Sequence, residues 1–409
     1  MFDLSSFIKK SVVKRPISMF RVDVQYSEGK LLCAIQEKSI LVIGGAGSIG
    51  SSFIRAILKF HPGELVVVDI NENALTELTR SLRSSEVYSE LIPDKYLSYP
   101  MDYSSVVFRR MFENHIRSDG KPGFDIVANF SAHKHVRSEK DIYSIEALIR
   151  NNVINAKTLM DLLEKYPPYS YFCVSTDKAA NPVNIMGASK RIMEDLIFSY
   201  SDRFPVKTAR FANVAFSNGS LPAGFIERIN QHQPLSAPSD VRRYFVSPEE
   251  SGQICMISAM LGENRNIFFP KLDEEQMTTF DEIAEDLLFS MGYEVDYCSS
   301  EKEAIEKSKL WDDSKPYPVY FSPSNTSGEK AYEEFYIPGE AIDVDRFKSL
   351  GVITDKVIPD REKVVNVIND LERMFESDMC SKEKIVNIIA EYLPSFEHIE
   401  TGKSLDEKM

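Results

Sequence analysis

The sequence is poor in cysteine, with five among 409 residues, and these five lie far apart. It contains no Cys-x-x-Cys pair and no cluster of histidine with cysteine, so neither a zinc site nor a disulfide framework is expected. We expect no bound metal. The absence of a disulfide pattern is typical of proteins in the reducing cytoplasm, which is therefore the expected compartment.

Long apolar runs and an excess of positive charge are also lacking. No run approaches the ~18–20 apolar residues of a transmembrane segment, and the basic N-terminus is not followed by the apolar stretch of a secretory signal. The net charge is −14. Binding to nucleic acid is not expected, because it needs a basic surface to neutralise phosphates. An anionic small ligand is still compatible with this charge, since a few local donors can bind it.

The chain is long enough for two domains, or for one large α/β domain with a smaller lobe, and its hydrophobic content of 43% is ordinary. Residues 1–38 are locally basic. We favour a helix or arm packed on the main domain over a contact with anionic lipid or a partner. The predicted divisions are an N-terminal extension at 1–38, an NAD-binding Rossmann domain at 39–214 to which 243–262 return, a substrate-binding lobe at 215–242 and 263–340, and C-terminal helices with a polar tail at 341–409.

Strand and helix patterns alternate from residue 39 to residue 201. Short apolar runs predict buried strands, and apolar residues at helical spacing predict the helices between them. This alternation is typical of an α/β fold with a doubly wound parallel sheet. The predicted strands cover 39–45, 65–68, 125–130 and 171–175, and the predicted helices cover 51–60, 72–84, 142–165 and 186–201.

A glycine-rich loop joins the first predicted strand to the first helix. Gly44, Gly47 and Gly50 have a GxxGxxG spacing in the strand–loop–helix context that a dinucleotide-binding loop requires. Glycine permits the tight turn and lets the backbone approach a pyrophosphate. The free amides at the start of the helix, at Ser48 and Ile49, can then bind that pyrophosphate. The loop therefore predicts a bound nicotinamide dinucleotide.

Two aspartates follow later strands of the same unit. Asp69 ends the second strand about 20 residues after the loop, where a carboxylate can accept hydrogen bonds from the adenosine ribose hydroxyls. Because this carboxylate would repel a 2′-phosphate, we expect NAD rather than NADP; a helix cap is the alternative role of Asp69. Asp102 follows the third strand and is a candidate ligand of the adenine amino group, with an ordinary loop aspartate as the alternative.

Thr176, Asp177 and Lys178 follow the strand at 171–175, and Lys190 lies in the next helix. Ligands of open α/β sheets bind at the carboxyl ends of the strands. A hydroxyl, a carboxylate and an amine in consecutive positions at such an end can perform acid–base chemistry. From these residues alone, a surface turn with a helix cap is the simpler interpretation.

A series of motifs in a fixed order resembles the nucleotide-sugar 4,6-dehydratases of bacterial polysaccharide and glycoprotein-sugar biosynthesis, which are extended short-chain dehydrogenase/reductases. The resemblance covers residues 39–260 and resumes at 328–334. It implies a tightly bound, recycled NAD and a nucleotide-diphosphate sugar as substrate, usually UDP-N-acetylglucosamine. The motifs are the glycine loop, Ala132–Val136, Asn151–Val153, Ser175–Lys190, Arg210–Val214, Ser217–Ser220, Arg243–Phe245 and Gly328–Glu334.

Met186 occupies the position at which most short-chain dehydrogenases have a catalytic tyrosine, and Lys190 keeps the lysine of that motif. A thioether cannot accept a proton in this pH range, so other groups must perform the acid–base chemistry. The resemblance implies that Lys178 removes the C5 proton and that Asp177 protonates the leaving 6-hydroxyl. It also implies that Thr176 hydrogen-bonds the 4-hydroxyl and that Lys190 binds the nicotinamide ribose.

The same resemblance implies a set of ligands for the substrate and for the rest of the cofactor. Arg243 suits a diphosphate, because a guanidinium binds phosphate bidentately, and Arg242 is its alternative. Two segments depart from the family pattern: residues 136–140 replace Val-Pro-Leu-Met-Glu, and Thr326 replaces an arginine, which leaves a GDP-linked sugar open beside UDP. The implied substrate ligands are Lys134, His135, Asn213, Ser220, Arg243 and Glu329, and Ala132 is an implied cofactor ligand.

Two other functions are compatible with these residues. A nucleotide-sugar 4-epimerase needs a base at the 4-hydroxyl but none at C5, so the pair of Asp177 and Lys178 favours dehydration. Met186 is the best argument for a catalytically inactive nucleotide-binding or scaffold protein. The retention of Lys190 together with Thr176, Asp177 and Lys178 argues against that alternative. Because this fold often dimerises through helices, a homo-oligomer is expected.

Overall fold

The structure is a computed structural model that describes residues 2–117, 119–135, 139–312, 314–324 and 333–398. Short strands run through the whole of this part of the chain. They are β1 (Ser39–Ile43), β2 (Glu64–Asp69), β3 (Lys95–Pro100), β4 (Ile126–Asn129), β5 (Ser170–Thr176), β6 (Val206–Phe211), β7 (Asn213–Val214), β8 (Leu235–Pro238), β9 (Arg242–Val246), β10 (Ile267–Pro270), β11 (Met277–Thr279), β12 (Val295–Tyr297), β13 (Tyr317–Ser322), β14 (Ala341–Asp343) and β15 (Leu350–Thr354).

Helices connect most of these strands. Within the described residues, no helix is both long and apolar enough to span a bilayer. The α-helices are α1 (Leu4–Phe7), α2 (Arg21–Tyr26), α3 (Glu28–Ile35), α4 (Ser48–Leu58), α5 (Glu72–Arg83), α6 (Val106–Asn114), α7 (Ile142–Ile149), α8 (Asn155–Lys165), α9 (Ile185–Ser199), α10 (Leu221–Asn230), α11 (Pro248–Leu261), α12 (Phe280–Ser290), α13 (Glu301–Ser308), α14 (Arg361–Phe375) and α15 (Lys382–Tyr392).

The main sheet has nine strands in the order β14-β15-β10-β6-β5-β4-β1-β2-β3. All pairings from β3 to β10 are parallel, and β15 and β14 add antiparallel strands at one edge. The chain direction across the sheet reverses between β1 and β4, which is where α/β sheets bind ligands at the carboxyl ends of their strands. The predicted α/β class with a doubly wound parallel sheet is confirmed.

Buried β-branched and aliphatic side chains explain why the centre of the sheet forms. Every residue of β1 is buried, as expected for a strand covered by helices on both faces. Helix α4 begins directly after the glycine loop and buries Phe53, Ile54 and Ile57 against the sheet. The long helix predicted at 142–165 is present as α7, a π-helical turn at Arg150–Ile154, and α8.

The edge of the sheet differs from the prediction. Residues 341–354 were predicted as part of a helical region, but they contain β14 and β15, and the helices begin only at Arg361. Similarly, β10 lies within the segment predicted as substrate-binding lobe, yet it pairs with β6 in the main sheet. Gly351 allows this edge to close, because a Cβ there would lie 2.2 Å from the ring of Phe269. Such a long-range pairing leaves no periodic signal in the sequence.

The N-terminal extension packs on the rest of the protein. Phe20, Leu31 and Ile35 join the main core, whereas Phe7 and Ile8 join a second apolar cluster. Arg15 donates to both carboxylate oxygens of Glu250 at 3.0 and 2.9 Å, and Glu250 also caps the start of α11. The described residues of the extension therefore form an arm packed on the rest of the protein, as favoured from the sequence.

The second apolar cluster lies beside the main sheet and organises the smaller lobe. Strands β12, β13 and β8 form a three-stranded sheet, and helices α10 and α12 pack beside it. Tyr317 is buried at its centre and contacts Trp311 and Tyr293 through ring-to-ring packing. This cluster gives the lobe an apolar core of its own, next to the carboxyl ends of the main strands.

Lys207 in β6 is a buried lysine whose hydrogen-bond acceptors are neutral: its Nζ donates to Ser170 Oγ at 2.8 Å and to the Ala259 carbonyl at 3.2 Å. Burial lowers its pKa to about 8. Below that pH the folded state carries a desolvated ammonium, which lowers the free energy of unfolding. Between pH 8 and the ordinary lysine pKa near ~10.4, Lys207 releases its proton on folding, so this destabilisation decreases and then disappears. We expect Lys207→Met to stabilise the protein at pH 7 by up to about 3 kcal/mol.

Urea unfolding of both proteins at pH 7 and pH 10 tests this expectation. The difference between the wild type and Lys207→Met should shrink at pH 10. Lys121→Met, which removes an ammonium that is 73% exposed, should change the midpoint little at either pH. A stabilisation by Lys207→Met that does not depend on pH would contradict the electrostatic origin.

Candidate active site

The glycine loop turns tightly between β1 and α4. Gly44 has φ +70°, and a Cβ there would lie 2.6 Å from the Ser131 backbone nitrogen; a Cβ on Gly50 would lie 2.4 Å from the Gly44 oxygen. Gly47 precedes α4 without a side-chain cap, so the first amides of the helix stay available to an anion. The loop thus has the shape and the donors that a pyrophosphate requires.

Asp69, at the end of β2, lies beside this loop. Its Oδ2 accepts from the Ala46 amide at 3.1 Å and its Oδ1 from the Asn71 amide at 3.0 Å. Asn71, not Asp69, caps α5, so the alternative role of Asp69 as a helix cap is wrong. Each carboxylate oxygen keeps a second lone pair. Asp69 can therefore still accept a hydrogen bond from a ribose hydroxyl.

Three further candidates for cofactor binding lie around the loop. Asp102 accepts from the amide and hydroxyl of Ser104 at 2.7 and 2.8 Å, so it already closes an exposed turn. Ser48 accepts from the Asn218 amide at 2.8 Å, which joins the cofactor loop to the segment 217–220. Ile49 is half-buried and packs on the main core. Of these three residues, Ser48 is the one that connects the predicted cofactor loop to a predicted substrate segment.

Thr176, Asp177 and Lys178 stand at the carboxyl end of the central strand β5. The Asp177 carboxylate is buried and accepts from Thr176 Oγ1 at 2.7 Å. Lys178 Nζ donates to both oxygens of Asp177 at 3.1 and 3.2 Å, and its side chain is 25% exposed. These residues form a largely buried hydroxyl–carboxylate–ammonium cluster rather than a solvated surface turn, although Thr176 also caps the short 3-10 turn Asp177–Ala179, as the alternative interpretation expected.

A fully buried ion pair lies directly beneath this cluster. Ser175 Oγ donates to Glu194 at 2.6 Å, and Arg210 donates to both oxygens of Glu194 at 3.0 and 2.8 Å. Burial opposes ionisation of Glu194, but the charge and hydrogen bonds of Arg210 prevail and lower the pKa of this carboxyl to about 2. The pair fixes the backbone that carries Thr176.

Lys190 and Met186 lie on α9 beside β5. Lys190 Nζ donates to the Val174 carbonyl at 3.2 Å, and burial lowers its pKa. The Met186 side chain is buried, and its amide donates to Glu139 Oε1 at 3.0 Å. Glu139 belongs to a segment that departs from the family pattern, and here its carboxylate binds the start of α9. It also lies 3.4 Å from His398 Nε2, so it connects α9 to the C-terminal segment.

Residues 132–135 form the opposite wall, beyond the end of β4. Ala132 is half-buried, and the adjoining backbone at residue 133 is bound on both sides by the Asn152 side chain, at 2.8 and 2.9 Å. Lys134 Nζ donates to Ser217 Oγ at 3.4 Å, and partial desolvation lowers its pKa. His135 lies against Gly219, where a Cβ would be 3.0 Å from His135 Nε2. Lys134 and His135 thus face the predicted substrate segment.

The remaining substrate candidates have protein partners. Asn213 Nδ2 donates to the Glu333 carboxylate, and Ser220 Oγ caps α10 by accepting from the Ala223 amide at 3.4 Å. Arg243 is buried, and one of its guanidinium nitrogens donates to the Arg242 carbonyl at 2.9 Å. Glu329, like Thr326 and the segment 136–138, lies outside the described residues.

Sequence reasoning missed four polar side chains that organise the site: Asn152, Glu139, Glu194 and Glu333. Asn152 and Glu333 lie within motifs of the resemblance, which was the available signal. Glu194 is a charged residue on an otherwise buried helix, and a buried charge requires a partner. Glu139 is adjacent to the position of a glutamate in the family pattern, but its partner, the Met186 backbone amide, is distant in sequence and could not be foreseen.

Comparison with known proteins places these features in context. A family described as polysaccharide biosynthesis protein matches residues 40–354. The uncharacterized membrane protein MJ1061 of Methanocaldococcus jannaschii is 27% identical over 87% of this chain and 96% of that protein. The probable polysaccharide biosynthesis protein EpsC of Bacillus subtilis is 27% identical over 81% of this chain and 53% of that protein, so the chain spans about half of EpsC.

Two enzymes of nucleotide-sugar chemistry match shorter spans. A UDP-N-acetylglucosamine 4,6-dehydratase (inverting) of Campylobacter jejuni is 26% identical over 59% of this chain and 69% of that protein. A UDP-glucose 4-epimerase of Rickettsia bellii is also 26% identical, over 58% of this chain and 66% of that protein. Sequence similarity of this degree does not separate the two reactions, which must be distinguished by the chemistry of the site.

Solved structures share the fold. Pen from Bacillus thuringiensis superposes with a TM-score of 0.61 at 18% identity, covering 83% of this chain and 98% of that chain. DesIV from Streptomyces venezuelae, a dTDP-glucose 4,6-dehydratase solved with NAD and DAU bound, superposes with a TM-score of 0.52 at 18% identity, covering 72% of this chain and 87% of that chain.

Proposed function

The chain belongs to the polysaccharide biosynthesis protein family, and on that basis we propose that it is a nucleotide-sugar 4,6-dehydratase. Its curated relatives include dehydratases and epimerases of nucleotide sugars. The observation that carries the proposal is the buried cluster of Thr176, Asp177 and Lys178 at the carboxyl end of β5. It offers an acid–base pair, as elimination of water requires. The proposed substrate is UDP-N-acetylglucosamine, and the product is the UDP-linked 4-keto-6-deoxy sugar.

The residues at the switch point of the sheet fit a nicotinamide dinucleotide. The glycine loop leaves room and free amides for the pyrophosphate, and Asp69 lies where the adenosine ribose is expected. When bound, NAD supplies a hydride acceptor for C4 of the sugar and later a hydride donor for C6. Lys190, next to the end of β5, is the proposed ligand of the nicotinamide ribose.

The proposed roles of the cluster rest on the family resemblance and are compatible with its hydrogen bonds. Once C4 is a ketone, the C5 proton is acidic, and Lys178 is the proposed base that removes it. An ammonium paired with a carboxylate cannot act as a base, so Lys178 must first leave Asp177 and lose its proton. The substrate hydroxyls can replace Lys178 at Asp177. Thr176, which donates to Asp177, is the proposed contact of the 4-hydroxyl.

The sugar diphosphate needs cations near this cluster. Arg243 on β9 is the proposed diphosphate ligand, and Lys134 is the proposed cation at the opposite wall. Asn213 and Ser220 bind protein atoms in the structure, so we now propose that they shape the pocket rather than contact the sugar directly. The nucleotide base is assigned as uracil only by resemblance to UDP-sugar enzymes.

A 4-epimerase is the second candidate, and the Rickettsia relative supports it. Epimerisation needs proton exchange at the 4-hydroxyl and no base at C5. An epimerase would have no use for a second acid–base group beside the 4-hydroxyl. The presence of both Asp177 and Lys178 in the buried cluster therefore favours dehydration. A scaffold role would leave the burial of this charged pair without a purpose, since burying charges costs free energy.

The proposal is tested by incubating the purified protein with UDP-N-acetylglucosamine, without added NAD, and analysing the sugar by mass spectrometry. Loss of one water supports a dehydratase that carries its own cofactor. Conversion to the 4-epimer at unchanged mass supports the second candidate. The absence of turnover with both UDP- and GDP-linked N-acetylglucosamine would contradict the proposal.

Asp69 should decide the choice between NAD and NADP. We expect Asp69→Asn to weaken NAD binding about tenfold or more, because a charge-assisted hydrogen bond to the ribose becomes a neutral one. Binding of NADP should weaken less or improve, since the repelling charge is gone. Titration of cofactor-stripped protein by calorimetry measures both affinities, with Asp94→Asn, an exposed carboxylate before β3, as control. Equal losses for NAD and NADP would contradict a ribose contact.

A further inference from the structure

Residues 216–220, between β7 and α10, form what we call the bridging turn, and they contact three separate parts of the protein. Phe216 has a φ of +54° and Gly219 a φ of +73°. A left-handed φ is uncommon for phenylalanine and persists where the surrounding contacts fix it. The Phe216 ring packs edge-on against Phe7 of the N-terminal extension, with ring centroids 5.9 Å apart. The lobe and the extension therefore hold the turn in a compact conformation.

The second contact of the bridging turn is with the cofactor loop. The Asn218 amide donates to Ser48 Oγ at 2.8 Å, although 170 residues separate the two along the chain. Ser48 is the first residue of α4, so its hydroxyl lies at the helix end that is proposed to bind the pyrophosphate. A hydroxyl has two lone pairs and one proton. Accepting from Asn218 uses one lone pair and leaves the Ser48 proton for donation to a phosphate oxygen.

The third contact is with the wall that carries the proposed cation for the sugar diphosphate. Ser217 is buried, and its Oγ accepts from Lys134 Nζ at 3.4 Å. A Cβ on Gly219 would lie 3.0 Å from His135 Nε2, so the turn and this wall approach each other closely. Because Ser217 and Asn218 are consecutive, a shift of the Asn218 amide also shifts the acceptor of Lys134.

We propose, resting on the nucleotide-sugar function above, that Ser48 is a positioning residue that couples cofactor binding to sugar binding. Its hydroxyl donates to a pyrophosphate oxygen of the dinucleotide and accepts from the Asn218 amide at the same time. Donation to an anion polarises the hydroxyl, which makes its oxygen a stronger acceptor. The bond to Asn218 then tightens, and the bridging turn fixes Ser217 where it orients Lys134 towards the sugar diphosphate.

This coupling has two consequences for the proposed reaction. Coupling between two ligands is typically worth about 5- to 150-fold in affinity, so we expect the dinucleotide to raise the affinity for the sugar nucleotide by about tenfold. Such coupling is reciprocal, so the bound sugar raises the affinity for the dinucleotide by the same factor. The glycine loop therefore holds its cofactor most tightly while a sugar is being oxidised, as a recycled cofactor requires.

The first test needs no sugar and follows deuterium exchange of the Asn218 amide by mass spectrometry with electron-transfer fragmentation. NAD, at a concentration that saturates each protein, should slow this exchange by about tenfold in the wild type and much less in Ser48→Ala. Ser48→Thr keeps the hydroxyl and should keep the slowing. Ser52→Ala is the matched control and should also keep it, because Ser52 Oγ donates to the Ser48 carbonyl at 2.8 Å within α4. Equal slowing in the wild type and in Ser48→Ala, or no slowing in the wild type, overturns the proposal.

The second test measures the affinity for UDP by calorimetry, with protein loaded with NAD and with cofactor-stripped protein. The wild type should bind UDP about tenfold more tightly when it is loaded, and in Ser48→Ala the two affinities should agree within about twofold. A residue with a purely structural role would change both affinities and leave their ratio unaltered. A ratio of one in the wild type, or the same ratio in the wild type and in Ser48→Ala, overturns the proposal.

These outcomes are separate from those of the dehydration assay. Cofactor-dependent binding of UDP without dehydration of UDP-N-acetylglucosamine would contradict the proposed reaction and leave the coupling intact. Dehydration by a protein whose affinity for UDP does not depend on NAD would contradict the coupling alone. UDP that binds neither form of the protein would contradict both the coupling and the assignment of uracil as the nucleotide base.

Discussion

Replacing Lys178 by methionine is expected to lower the rate of dehydration by about 10³-fold or more, because methionine keeps much of the side-chain volume but cannot accept the C5 proton. Cofactor binding should be unchanged, since the glycine loop follows β1 and Asp69 ends β2, whereas Lys178 follows β5. Oxidation at C4 does not require a C5 base, so the 4-keto sugar should accumulate on the enzyme in a single turnover. Rapid-quench analysis of the bound sugar measures both steps.

Lys157→Met is the matched control for this variant. Lys157 lies on α8 and pairs with Asp161 at 2.8 Å, a helix-surface ion pair outside the site. Its loss should leave the rate of dehydration within about twofold, because such pairs contribute only a few tenths of a kcal/mol. Normal dehydration by Lys178→Met would remove Lys178 from the proposed mechanism and leave the C5 base to another group, such as Lys134.

The largest effect on stability is expected for Arg210→Met. Arg210 and Glu194 are both fully buried, and removing the guanidinium leaves Glu194 uncompensated and the carbonyl of Phe335 without its donor. Breaking a buried ion pair from one side typically costs about 3–5 kcal/mol. We therefore expect a loss of that size in the free energy of unfolding by urea.

Arg203→Met is the surface counterpart of that change. Arg203 is 55% exposed and pairs with Glu164 at 3.1 Å, so its removal should cost less than about 1 kcal/mol. A loss below about 1 kcal/mol for Arg210→Met as well would contradict the view that this buried pair stabilises the site. The free energy difference between the two variants isolates the effect of burial from the effect of removing an arginine.

The centre of the fold was predictable because its signals are local. The apolar run of β1, the glycine loop and the helical spacing of α4 occur within some 20 consecutive residues, and each fits the same strand–loop–helix unit. The edge of the sheet was not predictable in this way. β15 owes its position to pairing with β10, across about 80 residues of chain, and short apolar segments of this kind favour strand and helix about equally.

The candidate site likewise contains residues that could be predicted from the sequence and contacts that could not. Thr176, Asp177 and Lys178 were identified because consecutive residues at a strand end are visible in the sequence and because they fall in a motif that resembles the dehydratases. The partners of Asn213 and Ser220 were not, since Glu333 reaches Asn213 from a distant segment and Ser220 is used as a helix cap. Asp69 illustrates an intermediate case: its place at the end of β2 was predicted, but its two amide donors depend on how the loops fold back.

The central claim, that a hydride leaves C4 and returns to C6 of the same sugar, is tested most directly with UDP-N-acetylglucosamine that carries deuterium at C4. The product is purified and the position of the label is read by NMR. A dehydratase should place the deuterium on C6 of the 4-keto-6-deoxy sugar. Deuterium that remains on C4 of an epimerised sugar, or that is lost to a dinucleotide in solution, would contradict the proposed function.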